Sequence, residues 1–226
     1  MNDGIAIPAK AEDLLTIIDN PTNLNGEEMT VKLEANDVIA KHHFTLRRIR
    51  FTQSNYDGTQ SKPIVREVFD RGDAVGIILY DPDMDMVVLV EQARAGAIVA
   101  SINHPELSAW TLELVAGCVD EGEDPKATAI REALEEVGAA PRNVHKLMTF
   151  MPSPGGCSEV MHLFYGEIDS NLVQEFGGIA DHNEDIRVVK MPVDELLRSY
   201  GDTNRIVSGP LALAMTLGCI PPGMFD

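Results

Sequence analysis

The stretch bounded by Asp124 and Gly138 constrains the fold of this chain more than any other. Asp124 carries a short carboxylate suited to the free N–H groups of a first helical turn, and Pro125 follows where a missing N–H costs nothing. Gly138 then permits the left-handed turn that commonly ends a helix. The spacing predicts a helix over Pro125–Val137, with Ala127, Ile130 and Leu134 repeating on an apolar face that packs inward. Around it, Ala74–Tyr80, Met86–Val90, Trp110–Val115, Lys146–Met151, Met161–Glu167 and Ile186–Lys190 are short runs that read as strands, and Val193–Tyr200 and Pro210–Leu217 read as helices. An apolar helix face among so many strands needs a sheet to cover it, so the class is α+β.

Ahead of this segment, Val31–Ile39 and Phe44–Phe51 alternate in polarity, Asp57-Gly58 supplies a turn, and Ile64–Phe69 resumes the extended pattern. A small N-terminal β layer over residues 1–68 is expected, with a larger domain over 69–226. A chain of 226 residues buries roughly 70% of its unfolded surface, enough for one large core and an appended layer.

Charge narrows the function. Eighteen Lys and Arg face 36 Asp and Glu, a formal net charge of −18, which repels the phosphate backbone of nucleic acids and anionic membranes. Cys118, Cys157 and Cys219 are odd in number and form no C-x-x-C pair, which argues against a disulfide framework or a zinc ribbon. The N-terminal residues lack a basic stretch followed by an apolar core, and no run reaches the ~18 apolar residues of a membrane span. A cytoplasmic protein is expected.

The predicted helix has an acidic side. Glu132, Glu135 and Glu136 stand at i, i+3 and i+4, with Arg131 beside them. Carboxylates so close repel one another unless a cation sits among them, and hard oxygen donors suit Mg²⁺ or Mn²⁺. A solvated acidic face is the plainer alternative for the helix taken alone.

Reading outwards from that face gives Gly117, five residues, Glu123, seven residues, then Arg131-Glu132-Ala133-Leu134-Glu135-Glu136-Val137-Gly138-Ala139. This resembles the complete Nudix box, G-x5-E-x7-R-E-U-x-E-E-x-G-U with U aliphatic. Seven fixed residues at about one in 15 each give about 10⁻⁸ per starting position, so chance does not produce it. The resemblance implies an α/β/α sandwich with a mixed sheet, whose loop–helix–loop binds divalent cations, and hydrolysis of nucleoside diphosphates linked to another moiety. It implies Glu132 and Glu136 as metal ligands, Glu135 as a ligand or close neighbour of one, and the carbonyl of Ala116 as an extra ligand. By the same likeness Glu123 orients the loop, and Arg131 clamps a carboxylate rather than substrate.

Four further pieces, Arg66-Glu-Val-Phe-Asp-Arg-Gly, Val90-Glu-Gln-Ala-Arg94, Pro152-Ser-Pro-Gly-Gly-Cys-Ser-Glu159 and Asp181-His-Asn-Glu-Asp-Ile186, resemble the ADP-ribose pyrophosphatase and nucleotide-sugar branch of that family, as does Pro154, 15 residues beyond Ala139. The branch implies Arg66 and Arg94 on the diphosphate or terminal ribose, with a surface ion pair as the alternative for each. It places Gly155 and Glu159 against substrate, and His43 or Phe44 against the base, although Glu159 could cap its loop and Phe44 could belong to the β-layer core.

The branch usually has a glutamate acting as general base where this chain has His182, while Glu184 matches the residue that reaches a metal. An imidazole can accept a proton from attacking water, and an exposed loop histidine is the alternative. The expected activity is Mg²⁺-dependent cleavage of ADP-ribose, or a related nucleotide sugar, to a nucleoside monophosphate and a sugar phosphate. GDP-mannose is the alternative substrate, and a non-hydrolysing ADP-ribose sensor the alternative class, prompted by His182. The branch also implies a homodimer whose N-terminal β layers are exchanged.

Overall fold

The computed structural model describes residues 16–18, 25–178, 185–199 and 206–218. Its chain separates into two compact units, Met1–Arg71 with Ser153–Ser158, and Gly72–Pro152 with Glu159–Asp226. In the first unit β1 (Thr16–Ile18), β2 (Val31–Lys41), β3 (Thr45–Gln53) and β4 (Ile64–Asp70) form one antiparallel sheet in sequential order. β3 sits between its neighbours with Arg48 opposite Glu67, and the two side chains form an ion pair of 2.8 Å. The loop Ser153–Ser158 joins this unit: Phe69 N–H donates to the Gly156 carbonyl at 2.8 Å and Ser158 N–H donates to the Phe69 carbonyl at 3.1 Å.

The second unit is built on β5 (Ala74–Asp81) and β6 (Met86–Ala93), joined by a tight turn in which the Asp81 carboxylate accepts from Asp83 N–H at 3.0 Å and Met84 N–H at 3.2 Å. α1 (Ala95–Asn103), β7 (Trp110–Glu113), β8 (Val115–Cys118) and α2 (Pro125–Val137) follow. Then come β9 (Arg142–Phe150), β10 (Met161–Glu167), β11 (Phe176–Gly177), β12 (Ile186–Pro192), α3 (Val193–Arg198), β13 (Ile206–Val207) and α4 (Gly209–Thr216). The mixed sheet runs β11-β12-β6-β5-β10-β9, with β10 parallel to β5 and the other pairs on this path antiparallel.

β5 and β6 pair with each other only over Leu79–Asp81 and Met86–Val88, and beyond that they diverge. β7 pairs with β6 and β8 pairs with β5, so the chain changes partner at Leu114. The single strand expected over Trp110–Val115 is therefore two. That change of partner brings Ala116 and Gly117 beneath the helix that follows.

Every residue of β5 is buried, as a central strand covered on both faces requires. Val75, Ile77 and Leu79 pack with Val88, Val90 and the α2 residues Ala129, Ala133 and Val137 on one face. Ile78 and Tyr80 pack with Leu89, Leu196, Leu211 and Met215 on the other, under α3 and α4. The α/β/α sandwich is thus present, together with the N-terminal antiparallel sheet.

Two details depart from the sequence reading. Helix α1 was not expected, since Ala95–Asn103 has no cap residue at its start, and it leaves Ile98, Val99 and Ile102 exposed. The apolar face of α2 is also rotated from the one anticipated: Ala127 and Leu134 are exposed, while Ala129, Ala133 and Val137 are fully buried. Small residues at i, i+4 and i+8 let the helix lie close to the sheet, and that rotation carries Glu136 inward.

Candidate functional site

α2 forms as anticipated because both of its ends are satisfied. The Asp124 carboxylate accepts from Lys126 N–H at 3.0 Å and Ala127 N–H at 3.1 Å. Gly138 takes φ 75°, and its N–H donates to the Leu134 carbonyl at 3.1 Å. Further on, Gly177 comes so close that an added Cβ would lie 1.7 Å from the Glu136 carbonyl oxygen. The helix is held at both ends, and its acidic side is set against β8.

Arg131 organises that side. Its Nε and Nη2 donate to the two oxygens of Glu123, each at 3.1 Å, and its Nη1 donates to Glu132 at 2.8 Å and to Glu135 at 3.0 Å. Nη2 also lies 3.4 Å from the Cys118 carbonyl, tying the helix to the loop. The guanidinium holds the Glu123 carboxyl down at about 2, well below the ordinary range. Three carboxylates thus converge on the one guanidinium of Arg131.

Glu136 contrasts with its neighbours. It is 6% exposed, and its Oε2 has no hydrogen-bond partner among the described residues. Burial pushes its carboxyl up to about 8, the charge of Glu132 adds to this, and Arg94 and the Ala116 N–H offset part of it. Arg94 grips Glu113 in a fork, with Nε at 3.1 Å and Nη2 at 2.6 Å from Oε2. Thr111 Oγ1 donates to Glu113 at 2.6 Å.

Glu113, Thr111 and Gln92 escaped the sequence reading. The available signal was alternation: Thr111 and Glu113 alternate with Trp110, Leu112 and Leu114, so polar residues occupy one whole face of a strand in a buried sheet.

A hard cation fits the donors here. A carboxylate oxygen inside the protein with no hydrogen-bond partner among the described residues, beside a second carboxylate that raises its proton affinity and an Arg94 charge that offsets only part of this, suits a directly bound cation. Gly117 leaves the room: a Cβ there would sit 1.9 Å from Glu132 Oε1. Among the described residues, no three carboxylate, imidazole or thiol groups are already converged on one point, and Arg131 engages Glu132 and Glu135 instead.

The remaining anticipated residues are distributed as follows. Glu159 is buried in the same unit at 8% exposure. In the N-terminal unit, the Phe44 ring packs edge-on against His43 at 4.3 Å and Phe69 at 4.9 Å, with the Arg71 guanidinium 5.3 Å over it. Phe44 thus makes its ring contacts within the N-terminal unit and stays partly exposed. Arg66 is exposed and donates to the Val65 carbonyl at 2.8 Å, and Gly155 lies in the exposed turn of the Ser153–Ser158 loop. His182 and Glu184 lie outside the described residues.

A family model described as the NUDIX domain matches residues 70–208. The chain belongs to the Nudix family of hydrolases. An ADP-ribose pyrophosphatase of Haemophilus influenzae is 40% identical over 163 residues, 71% of this chain and 73% of that protein. A GDP-mannose pyrophosphatase of Citrobacter koseri is 36% identical over 170 residues, covering 74% and 84% of the two chains. A crystal structure of an ADP compounds hydrolase superposes with a TM-score of 0.61 at 18% identity, covering 84% of this chain and 92% of that one, a likeness of fold. No helix among the described residues is long and apolar enough to cross a membrane.

In this Nudix chain the clamp is open to test. Arg131→Met leaves Glu123, Glu132 and Glu135 facing one another unneutralised, so the metal-free protein should melt about 5–10 °C lower. Mg²⁺ should recover part of that loss. Thermal melts with and without the cation check it, and unchanged melting would show that the clamp contributes nothing.

Proposed function

We propose that this chain hydrolyses the diphosphate of ADP-ribose or a related nucleoside diphosphate sugar, releasing a nucleoside monophosphate and a sugar phosphate, with Mg²⁺ as cofactor and Mn²⁺ able to substitute. The observation that carries the reading is the buried Glu136 with its unsatisfied oxygen beside Glu132, on the Nudix helix of a chain whose relatives carry pyrophosphatase names. A chain of net charge −18 has no general attraction for a diphosphate, so binding falls to local positive groups. Arg94 is one, exposed on one side and held in orientation by Glu113 on the other.

The ligand set we assign is Glu132, Glu135, Glu136, the Ala116 carbonyl and Glu184. A bound divalent cation supplies charge neutralisation of the diphosphate and acidifies a coordinated water. Arg131 holds Glu132 and Glu135 in place, and Glu136 stays shielded from bulk solvent. Proton removal from the attacking water falls to His182, with Glu184 or a box glutamate as the competing base. Arg66, Glu159, Gly155, His43 and Phe44 are assigned to the sugar, phosphate and base of the substrate. The N-terminal layer, residues 1–68, is assigned to an exchanged homodimer interface; Val38 at 53% and Val65 at 49% exposure are apolar surface available for it. The working compartment we assign is the cytoplasm.

A panel of ADP-ribose, GDP-mannose and other nucleotide sugars, assayed with Mg²⁺ and with EDTA, tests the reading. ADP-ribose should turn over in Mg²⁺ and fall to background in EDTA. Preference for GDP-mannose would move the substrate to the name its other relatives carry. Tight ADP-ribose binding without cleavage of any compound would make the chain a sensor.

A further inference from the structure

Gln92 lies near the end of β6 and is 8% exposed. Its Nε2 is buried and has no hydrogen-bond partner among the described residues. A buried amide donor without an acceptor is costly, by roughly the free energy of a lost hydrogen bond, and native interiors rarely retain one without a use. Its surroundings indicate the use.

Successive side chains of a strand point to opposite faces, and Val88 and Val90 pack with α2, so Gln92 is directed toward the α2 layer. On the paired strand Thr111 lies opposite Gln92, and Glu113 lies opposite Val90. Gln92 therefore shares its face with the Thr111–Glu113–Arg94 group, whose charges reach Glu136. The acceptor nearest to it in register is already engaged: Glu113 receives Thr111 Oγ1 at 2.6 Å on one oxygen and Arg94 Nη2 at 2.6 Å on the other. The same layer thus contains an unmatched donor on Gln92 and an unmatched acceptor on Glu136. An incoming group that brings a cation to the carboxylate and an anionic oxygen to the amide satisfies both. A metal-bound diphosphate is such a group.

We propose that Gln92 is a substrate-binding residue whose Nε2–H donates to a diphosphate oxygen of the bound nucleotide sugar, beside the fork of Arg94. The inference rests on the hydrolase reading above. It differs from a structural role in one measurable respect. A glutamine that holds the fold together costs stability when removed, whereas a donor left unmatched until substrate arrives costs binding only.

Gln92→Met keeps the length and removes the donor. Its melting temperature in EDTA should equal or exceed that of wild type, and its Kd for ADP-ribose and its KM in Mg²⁺ should each rise about 10-fold, with kcat changed by less than about 3-fold. Unchanged affinity overturns the proposal, and so does a lowered melting temperature shared by Gln92→Met and Gln92→Leu, because the amide is then structural. If methionine alone fails to pack, Gln92→Leu carries the same affinity test. Wild type measured alongside separates the two ideas: wild type that neither binds nor cleaves a nucleotide sugar sinks the function, while active wild type with an unaffected variant sinks Gln92 alone.

Discussion

Glutamine in place of Glu136 is expected to lower kcat by about 10³-fold or more and, in the same molecule, to make the metal-free fold more stable at alkaline pH. Both effects have one origin. The carboxyl is raised from 4.5 to about 8 by burial first and by the charge of Glu132 second, so the folded chain binds that proton more tightly than the unfolded chain does. Its contribution to stability is complete below the unfolded value of 4.5 and drains away as pH climbs to about 8, at ~1.4 kcal/mol per pH unit. The loss amounts to a few kcal/mol at most, since relaxation and water entry soften burial penalties. Glutamine has nearly the same shape and no proton to lose, so its melting temperature in EDTA should vary far less from about pH 6 to about pH 9 than that of wild type. Mg²⁺ should raise the wild-type melting temperature most at the alkaline end, where the uncompensated charge is largest, and should barely move the variant. Wild type that melts independently of pH in EDTA would remove the basis of the argument, and near-normal turnover by the variant would remove Glu136 from the site.

This opposition between stability and function explains how much of the protein was legible in its residues. The ends of α2 were readable because Asp124, Pro125 and Gly138 act on their own backbone within a few residues. Which side of that helix faces the sheet was not readable. Leu134 is the more hydrophobic residue, yet Ala129, Ala133 and Val137 go inward because a close helix–sheet approach rewards small side chains. The same rotation buries a glutamate that a hydrophobicity count would expose. Helix α1 was missed for a related reason: Arg94 precedes it without acting as a side-chain cap, and Ile98, Val99 and Ile102 leave no polar face to reveal a period. The box residues were recognisable from spacing alone, whereas Glu113 and Gln92 acquire meaning only through the pairing of β6 with β7, a contact between residues about twenty positions apart.

A single methyl group on Gly117 is expected to cost about 10²-fold in kcat/KM with little change in folding stability. An ideal Cβ at Gly117 would lie 1.9 Å from Glu132 Oε1 and 2.0 Å from its carboxyl carbon, distances at which something must move. What moves is the end of a flexible side chain, and no left-handed backbone is required of Gly117, so alanine is compatible with the strand. Glu132 should swing out, forfeiting its 2.8 Å contact with Arg131 and carrying its charge away from the buried Glu136. Two consequences separate this from a general disturbance. Mg²⁺ affinity, measured by calorimetry, should fall about 10- to 100-fold, and the pH dependence of the metal-free melting temperature should shrink, because the charge of Glu132 is the second cause of the raised Glu136 value. Gly96→Ala, where an added Cβ meets nothing within 4 Å, is the matched control and should behave as wild type. If Gly117→Ala retains wild-type Mg²⁺ affinity, Glu132 either has room to stay or is not a ligand, and a structure of the variant distinguishes these by the position of that carboxylate.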